Sequence, residues 1–305
     1  MVSLPARLVN FGLPLLGIRR FFSQPEKLDE RIAELRRKPS PRPGKGVLAK
    51  FDVSEDNSRG YPVITMVPKG AAESDAPHLL YLHGGGYVMD VAALHWSALA
   101  RLCSILGASA TVPVYPLAPE HKAPHILGEM RKLYGELVES HGAQRITIMG
   151  DSAGGGMSLA LAQIIRDDDG PLPGSLVLFS PWLDATASEP EQKEIEKRDR
   201  MIAVSGLEAC GQLYRGELEL TDPRVSPLFG AVQGLPPMAI FSGTSDILVV
   251  DGRRLDARLR ETGLSTHEYH EYHGMFHVWM LLPIPEGRRA IEQTADFICR
   301  HLRTQ

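Results

Sequence analysis

The sequence predicts an α/β fold, with a mostly parallel central sheet flanked by helices and a helical cap. Short continuous apolar runs alternate with helix-length segments from about residue 46 onward, as in strand–helix–strand units whose helices cover both faces of a sheet. Those runs lack the polar alternation of a half-exposed strand. Residues 1–45 and about 185–221 fall outside this rhythm. The second of these segments is polar, highly charged and without a clear strand, so it reads as a helical insertion and a natural lid.

The chain is fairly apolar from Met1 to Ile18, and Leu8, Phe11, Leu15 and Ile18 recur at helix spacing. That spacing predicts an amphipathic or cap helix, with surface or membrane attachment as the lesser alternative. The segment does not read as a secretory leader, because Arg7 interrupts the run and no basic region precedes it. Glu26 to Arg37 is charged and looks helical, and Pro39, Pro41 and Pro43 then end it. We therefore expect cap helices over 1–45 and one main domain over 46–305. Its candidate strands are Gly46–Val53, Val63–Val67, Leu79–Leu82, Ser109–Val114, Arg145–Met149, Leu176–Ser180, Met238–Ser242 and Thr266–Tyr272. The first two could instead pair as an antiparallel hairpin leading into the parallel sheet. Candidate helices are Ala92–Leu106, Ile126–His141, Ala153–Arg166, Asp251–Glu261 and Gly287–Leu302.

Composition narrows the function classes. Hydrophobic residues make up 43% and charged ones 23% of 305 residues, with a formal charge of −4, which leaves no basic face for nucleic acid. No stretch approaches the roughly 18 consecutive apolar residues that a spanning helix needs. Cys103, Cys210 and Cys299 are too scattered for a disulfide framework or a CxxC pair, so reduced thiols and a cytoplasmic location are expected. A homodimer is left open.

The strongest chemical signal is Gly150-Asp151-Ser152-Ala153-Gly154, between an apolar strand and a helix. A serine raised on a sharp strand-to-helix turn needs small neighbours, since a Cβ at either flanking glycine would strike the adjacent strand or helix. The turn also sets the Ala153 N–H at a helix N-terminus, where it can face a developing negative charge. The second signal is His83-Gly84-Gly85-Gly86-Tyr87 after Leu79–Leu82. Three glycines let backbone N–H groups approach a ligand, and no Lys-Ser or Lys-Thr follows, which excludes a Walker loop. An oxyanion hole from Gly84 and Gly85, opposite Ala153, fits best. His83 is expected to hold the loop, and Asp151 to fix the turn.

These motifs together resemble the bacterial hormone-sensitive-lipase-like esterases of the α/β-hydrolase fold. The resemblance continues through Tyr115-Pro116-Leu117-Ala118-Pro119-Glu120-His121, Ser180-Pro181-Trp182-Leu183-Asp184 and Asp222-Pro223-Arg224-Val225-Ser226-Pro227-Leu228. It ends with Ser245-Asp246-Ile247-Leu248 and Gly274-Met275-Phe276-His277. It covers roughly residues 45–305 and implies a serine carboxylesterase acting on short- to medium-chain esters through an acyl-enzyme. Ser152, Asp246 and His277 would be its triad, with Gly84, Gly85 and Ala153 as oxyanion donors and no metal or organic cofactor. The order serine, acid, histidine is that of the fold. Asp246 and His277 each follow a predicted strand, which brings them to the same sheet edge as Ser152.

Val114-Tyr115-Pro116 stands where the family usually has Asp-Tyr-Arg, Asp90 where glycine is common, and Val278-Trp279 where Gly-Phe is usual. Trp279 is expected to narrow the substrate pocket. Three rival readings accompany this one. Asp184 and Asp251 are alternative acids. His267, His270, His273 and His277 invite a metal, but strand alternation turns His270 away from its neighbours. A lactonase or amidase would use the same residues, as would a non-catalytic small-molecule receptor of the same fold.

Overall fold

The computed structural model describes residues 2–70, 76–263 and 266–302. Within them eight strands form one sheet: β1 (Phe51–Asp56), β2 (Val63–Pro68), β3 (His78–Leu82), β4 (Ser109–Pro113), β5 (Ile146–Asp151), β6 (Ser175–Phe179), β7 (Met238–Gly243) and β8 (His267–Tyr272). Their order is β1-β2-β4-β3-β5-β6-β7-β8. β2 pairs antiparallel with both β1 and β4, and all later pairings are parallel. Every residue of β3, β5, β6 and β7 is buried, which is why these strands read as unbroken apolar runs.

Register sets the chemistry at one edge. Leu82 aligns with Gly150, Asp151 with Phe179, Phe179 with Phe241, and Gly243 with Tyr272. The segments that follow β3, β5, β7 and β8 therefore leave the sheet side by side. α5 (Ala93–Leu106) packs on α11 (Pro285–His301), and α6 (Ala123–His141) on α7 (Ala153–Asp167). α10 (Val249–Glu261) lies against β7 and β8.

The first predicted strand is displaced. Lys45–Leu48 forms one helical turn, α4, and the strand starts at Phe51. Val47 is drawn into the core beside α5, so packing overrides a local pattern that favoured a strand. β1 then runs along the sheet edge with Asp52, Glu55 and Asp56 exposed, charges that suit an unpaired edge.

Both segments outside the rhythm are helical. The first holds α1 (Leu4–Gly12), α2 (Ile18–Phe22) and α3 (Leu28–Arg36); the second holds α8 (Pro190–Glu196) and α9 (Val204–Arg215). They pack on each other: a Cβ on Gly206 would lie 2.2 Å from the Phe22 carbonyl oxygen. Arg19 Nη1 donates to the carbonyls of Asp199 and Ile202 at 2.6 and 2.5 Å. The predicted domain extends to residue 305, and 303–305 lie outside the described residues.

Candidate active site

β5 ends at Asp151 and α7 begins at Ala153, which leaves Ser152 alone to reverse the chain. Its backbone stands at φ 53° and ψ −121°, strained for a residue with a side chain. A Cβ on Gly150 would lie 2.4 Å from the Gly154 oxygen, and one on Gly154 1.9 Å from the Leu82 oxygen. Both glycines are thus required by close backbone approach. The turn is pinned to β6, with Ser152 N–H donating to Phe179 O at 2.8 Å and Trp182 N–H to Ser152 O at 3.0 Å.

Asp151 sits buried beneath the glycine loop. Its Oδ1 accepts from Gly84 N–H at 2.9 Å and from the Tyr81 hydroxyl at 2.7 Å, and His95 Nε2 lies 3.4 Å from its Oδ2. Burial pushes this carboxyl up, but the charge of His95 and hydrogen bonds from His95, Tyr81 and Gly84 outweigh it and hold the pKa at about 2. The same geometry corrects the expected oxyanion set: the Gly84 N–H is committed to Asp151 and is not free to meet a substrate. Among the described residues, the N–H groups of Gly85, Gly86 and Ala153 have no protein acceptor. Gly85 and Gly86 carry φ of 117° and 62°, conformations that exclude most side chains. His83 holds this loop, as expected. Its Nδ1–H donates to the Gly84 carbonyl at 2.8 Å, and its ring stacks on Tyr115, whose hydroxyl donates to the His83 carbonyl at 2.7 Å.

His277 Nδ1–H donates to Asp246 Oδ2 at 2.8 Å, and Asp246 Oδ1 accepts from Leu248 N–H at 2.9 Å. Both side chains are buried. Burial alone would lower the His277 pKa, but the charge and hydrogen bond of Asp246, then the charges of Asp199 and Asp151, raise it above the ordinary imidazole value. The two loops are laced together. Ser245 N–H donates to Met275 O at 2.9 Å and Gly274 N–H to Thr244 Oγ1 at 2.8 Å. Ser180 Oγ accepts from Val278 N–H at 3.2 Å, beside the histidine.

The rival acids are engaged elsewhere. Asp251 Oδ2 accepts from the N–H groups of Leu183 and Asp184 at 2.8 and 3.0 Å, and burial pushes its pKa up to about 8. Asp184 bonds Thr186 and Arg254. The histidines split between partners: His267 faces Asp256, His270 faces Glu268 and stacks on Phe241, and His277 faces Asp246. Among the described residues no group of histidine, cysteine and carboxylate side chains is placed to hold a metal ion.

A cavity of about 620 Å³ opens above this edge, lined by Gly84, Gly85, Gly86, Ser152 and His277 at its base. Its walls are largely apolar and come from α2 and α3 (Ile18, Phe22, Leu35), from the insertion (Met201, Leu207), and from Leu281. Asp90 reaches the cavity but is tied to Ser40. Trp279 does not narrow it, contrary to expectation. It is fully buried, with its ring 5.1 Å from that of Tyr272, because the one-turn helix at Trp279–Leu281 turns Leu281 toward the cavity and Trp279 into the core.

Sequence reasoning missed Asp199. It is 3% exposed, its Oδ1 accepts from Met201 and Ile202 N–H, and its Oδ2 accepts from Ile247 N–H at 2.9 Å, next to Asp246. Burial first, and then the charge of Asp246, raise its pKa to about 6. Flanked by Arg198 and Arg200 in a charged run, it carries no periodic or spacing signal.

A family model described as alpha/beta hydrolase fold matches residues 79–281. An acetyl-hydrolase of Streptomyces hygroscopicus is 32% identical over 230 residues, covering 74% of this chain and 77% of its own. The crystal structure of EstE5 soaked with p-nitrophenyl butyrate matches with a TM-score of 0.85 at 26% identity, over 99% of both chains. An esterase from the bacterial hormone-sensitive lipase family matches with a TM-score of 0.81 at 26% identity, over 99% of this chain and 100% of its own. The chain belongs to the α/β-hydrolase family. Within that family it is a hormone-sensitive-lipase-like bacterial esterase, a carboxylic ester hydrolase.

Proposed function

We propose that Ser152, His277 and Asp246 are the catalytic triad of this esterase, and that short- to medium-chain carboxylic esters are its substrates. One observation carries the assignment: the buried His277–Asp246 hydrogen bond of 2.8 Å engages Nδ1, leaving Nε2 as the basic nitrogen on the wall of the cavity that Ser152 also lines. His277 Nε2 takes the Ser152 proton as Oγ attacks the ester carbonyl carbon. The carbonyl oxygen becomes an oxyanion against the N–H groups of Gly85, Gly86 and Ala153, which cost no reorganisation as charge develops. Collapse breaks the bond to the alkoxy oxygen, which leaves as alcohol with the proton from His277. Water, deprotonated by His277, then attacks the acyl-enzyme, and the acid departs as Ser152 regains its proton.

The apolar cavity suits an acyl chain of modest length, and a butyrate ester was the probe used on EstE5. Residues 1–45 and 185–221 supply much of its wall, which supports reading them as one cap over the main domain.

Labelling tests the assignment. An organophosphate should add once, at Ser152, and Ser152→Ala should stay folded while turnover falls by roughly 10⁴–10⁶. Label on another residue, or a folded Ser152→Ala variant with full activity, would overturn it. A chain-length series of p-nitrophenyl esters then reads the acyl preference.

A further inference from the structure

Of the apolar stripe that predicts an amphipathic helix, Ile18 lines the cavity, whereas Leu8, Phe11 and Leu15 face solvent. Ala6 and Leu13 turn inward at 0% and 4% exposure, whereas Leu4, Leu8, Phe11 and Leu15 are 68%, 64%, 79% and 91% exposed, and Leu16 64%. Leu4, Leu8 and Phe11 recur on one face of α1, and exposed Leu15 and Leu16 follow in the 3-10 turn Leu13–Leu16, so the solvent-facing apolar side chains run on from the helix into the turn after it. Single exposed leucines need no explanation, but a contiguous ridge of this kind marks a contact surface.

The charge around it selects the partner. Residues 2–25 contain Arg7, Arg19 and Arg20 and no acidic residue. Arg7 and Arg20 are exposed, and neither pairs with a carboxylate among the described residues. α11 begins alongside, tied to α1 by Ser3, whose N–H and Oγ donate to Glu286 at 2.6 and 2.8 Å. That helix adds exposed Arg288 and Arg289; of its acids, Glu286 is spent on Ser3 and exposed Glu292 lies one turn further on. An apolar ridge with flanking arginines matches the boundary between acyl chains and anionic headgroups.

We propose that α1 and the turn after it are a docking surface for an anionic lipid bilayer. Leu4, Leu8, Phe11 and Leu15 enter the acyl boundary, and Arg7 and Arg20 meet the headgroups. The chain has no helix among the described residues long and apolar enough to cross a membrane, so the contact is peripheral. The next element, α2, contributes Ile18 and Phe22 to the cavity wall, which sets the docked surface next to the route by which an apolar ester would enter.

Flotation of the full chain with vesicles tests this without reference to catalysis. Phosphatidylglycerol-containing vesicles should carry the protein up the gradient. Pure phosphatidylcholine vesicles should carry less, and raised salt should weaken the anionic binding. The combined Leu8→Ser, Phe11→Ser and Leu15→Ser variant should lose flotation at least tenfold while keeping wild-type turnover of a soluble short-chain ester, which also certifies its fold. Wild-type protein that stays unbound at excess anionic lipid overturns the proposal. So does a lipid-free dimer that the triple variant dissolves to monomer, because the ridge then serves a second copy of the chain. Flotation that is insensitive to lipid charge and salt removes the role given to the arginines.

Discussion

Gly154 is where the elbow is most exposed to a test by geometry. An alanine Cβ there would lie 1.9 Å from Leu82 O and 2.6 Å from His83 O, inside the 3.0 Å that real Cβ contacts keep. Both obstacles are backbone at the end of β3, so neither can swing aside, and something must move by at least about 1.1 Å. What moves is either the start of α7, carrying Ala153 N–H, or the His83 loop, carrying the Gly85 and Gly86 N–H groups. A displacement of that size costs on the order of 10² in rate, and overpacking a core site costs about 1–3 kcal/mol in stability. Gly128→Ala is the matched control, because a Cβ there meets nothing within 4 Å on the exposed face of α6. It should leave turnover unchanged and raise stability by up to about 1 kcal/mol. Turnover of p-nitrophenyl butyrate and thermal unfolding on both variants make the measurement. A folded Gly154→Ala enzyme with wild-type kcat/KM would falsify the claim that close approach, and not chance, put glycine at this position.

The other expectations are briefer. Asp246→Asn should lower kcat by about 10⁴ through loss of the His277 orientation, while Asp251→Asn should be nearly silent in rate; equal losses in two folded variants would point to the wrong acid. Asp251 holds a proton in the folded chain up to about pH 8 that the unfolded chain releases near 4. Wild-type stability should therefore fall between those pH values relative to Asp251→Asn, as denaturant melts across that window can show. The acid limb of kcat/KM should fall through a midpoint above the ordinary imidazole value, since His277 must be neutral to act and its pKa is raised. Asp199→Asn removes one of the charges that raise it and should move the midpoint down; an upward or absent shift contradicts that assignment. Trp279→Gly should cost about 3–5 kcal/mol of stability, as large-to-small core changes do, with the ratio of rates across acyl lengths unchanged, whereas Leu281→Ala should change that ratio.

The central strands β3, β5, β6 and β7 were legible in the sequence because they are buried on both faces, and burial of that kind writes itself as unbroken apolar runs such as Leu79–Leu82 and Ile146–Met149. Ser152 was legible because the elbow forbids side chains at Gly150 and Gly154. What escaped depends on direction, which composition does not encode. Three consecutive glycines announce a loop whose N–H groups face something, but not that Gly84 faces Asp151 while the N–H groups of Gly85 and Gly86 meet no acceptor among the described residues. Trp279 follows the histidine directly, yet one turn of tight helix decides that it is Leu281 that meets the cavity. The same holds at Leu8, Phe11, Leu15 and Ile18: their spacing predicts one helix, whereas α1 ends at Gly12, a 3-10 turn follows over Leu13–Leu16 and α2 starts at Ile18, and spacing says nothing of which side the protein covers. Asp199 is the hardest case, a buried carboxylate written among solvated charges.

Asp199 also changes how the cap is understood. Its carboxylate collects Met201 and Ile202 from the insertion on one oxygen and Ile247, beside the proposed triad acid, on the other. Arg19 of α2 in turn clamps the carbonyls of Asp199 and Ile202. A continuous hydrogen-bonded path therefore runs from the N-terminal helices through the insertion to the Asp246 loop, which ties the proposed cap to the proposed triad acid. Arg19→Ala should show this. It touches no reacting atom, yet loosening the path should lower kcat on a soluble short-chain ester by about tenfold, less than the ~10² of a full 1 Å misplacement, with little change in KM. The outer ridge at Leu8, Phe11 and Leu15 lies off this path, and its substitution should leave kcat alone. If Arg19→Ala instead raises KM with kcat intact, the N-terminal helices shape only the cavity wall and the path carries no positioning load.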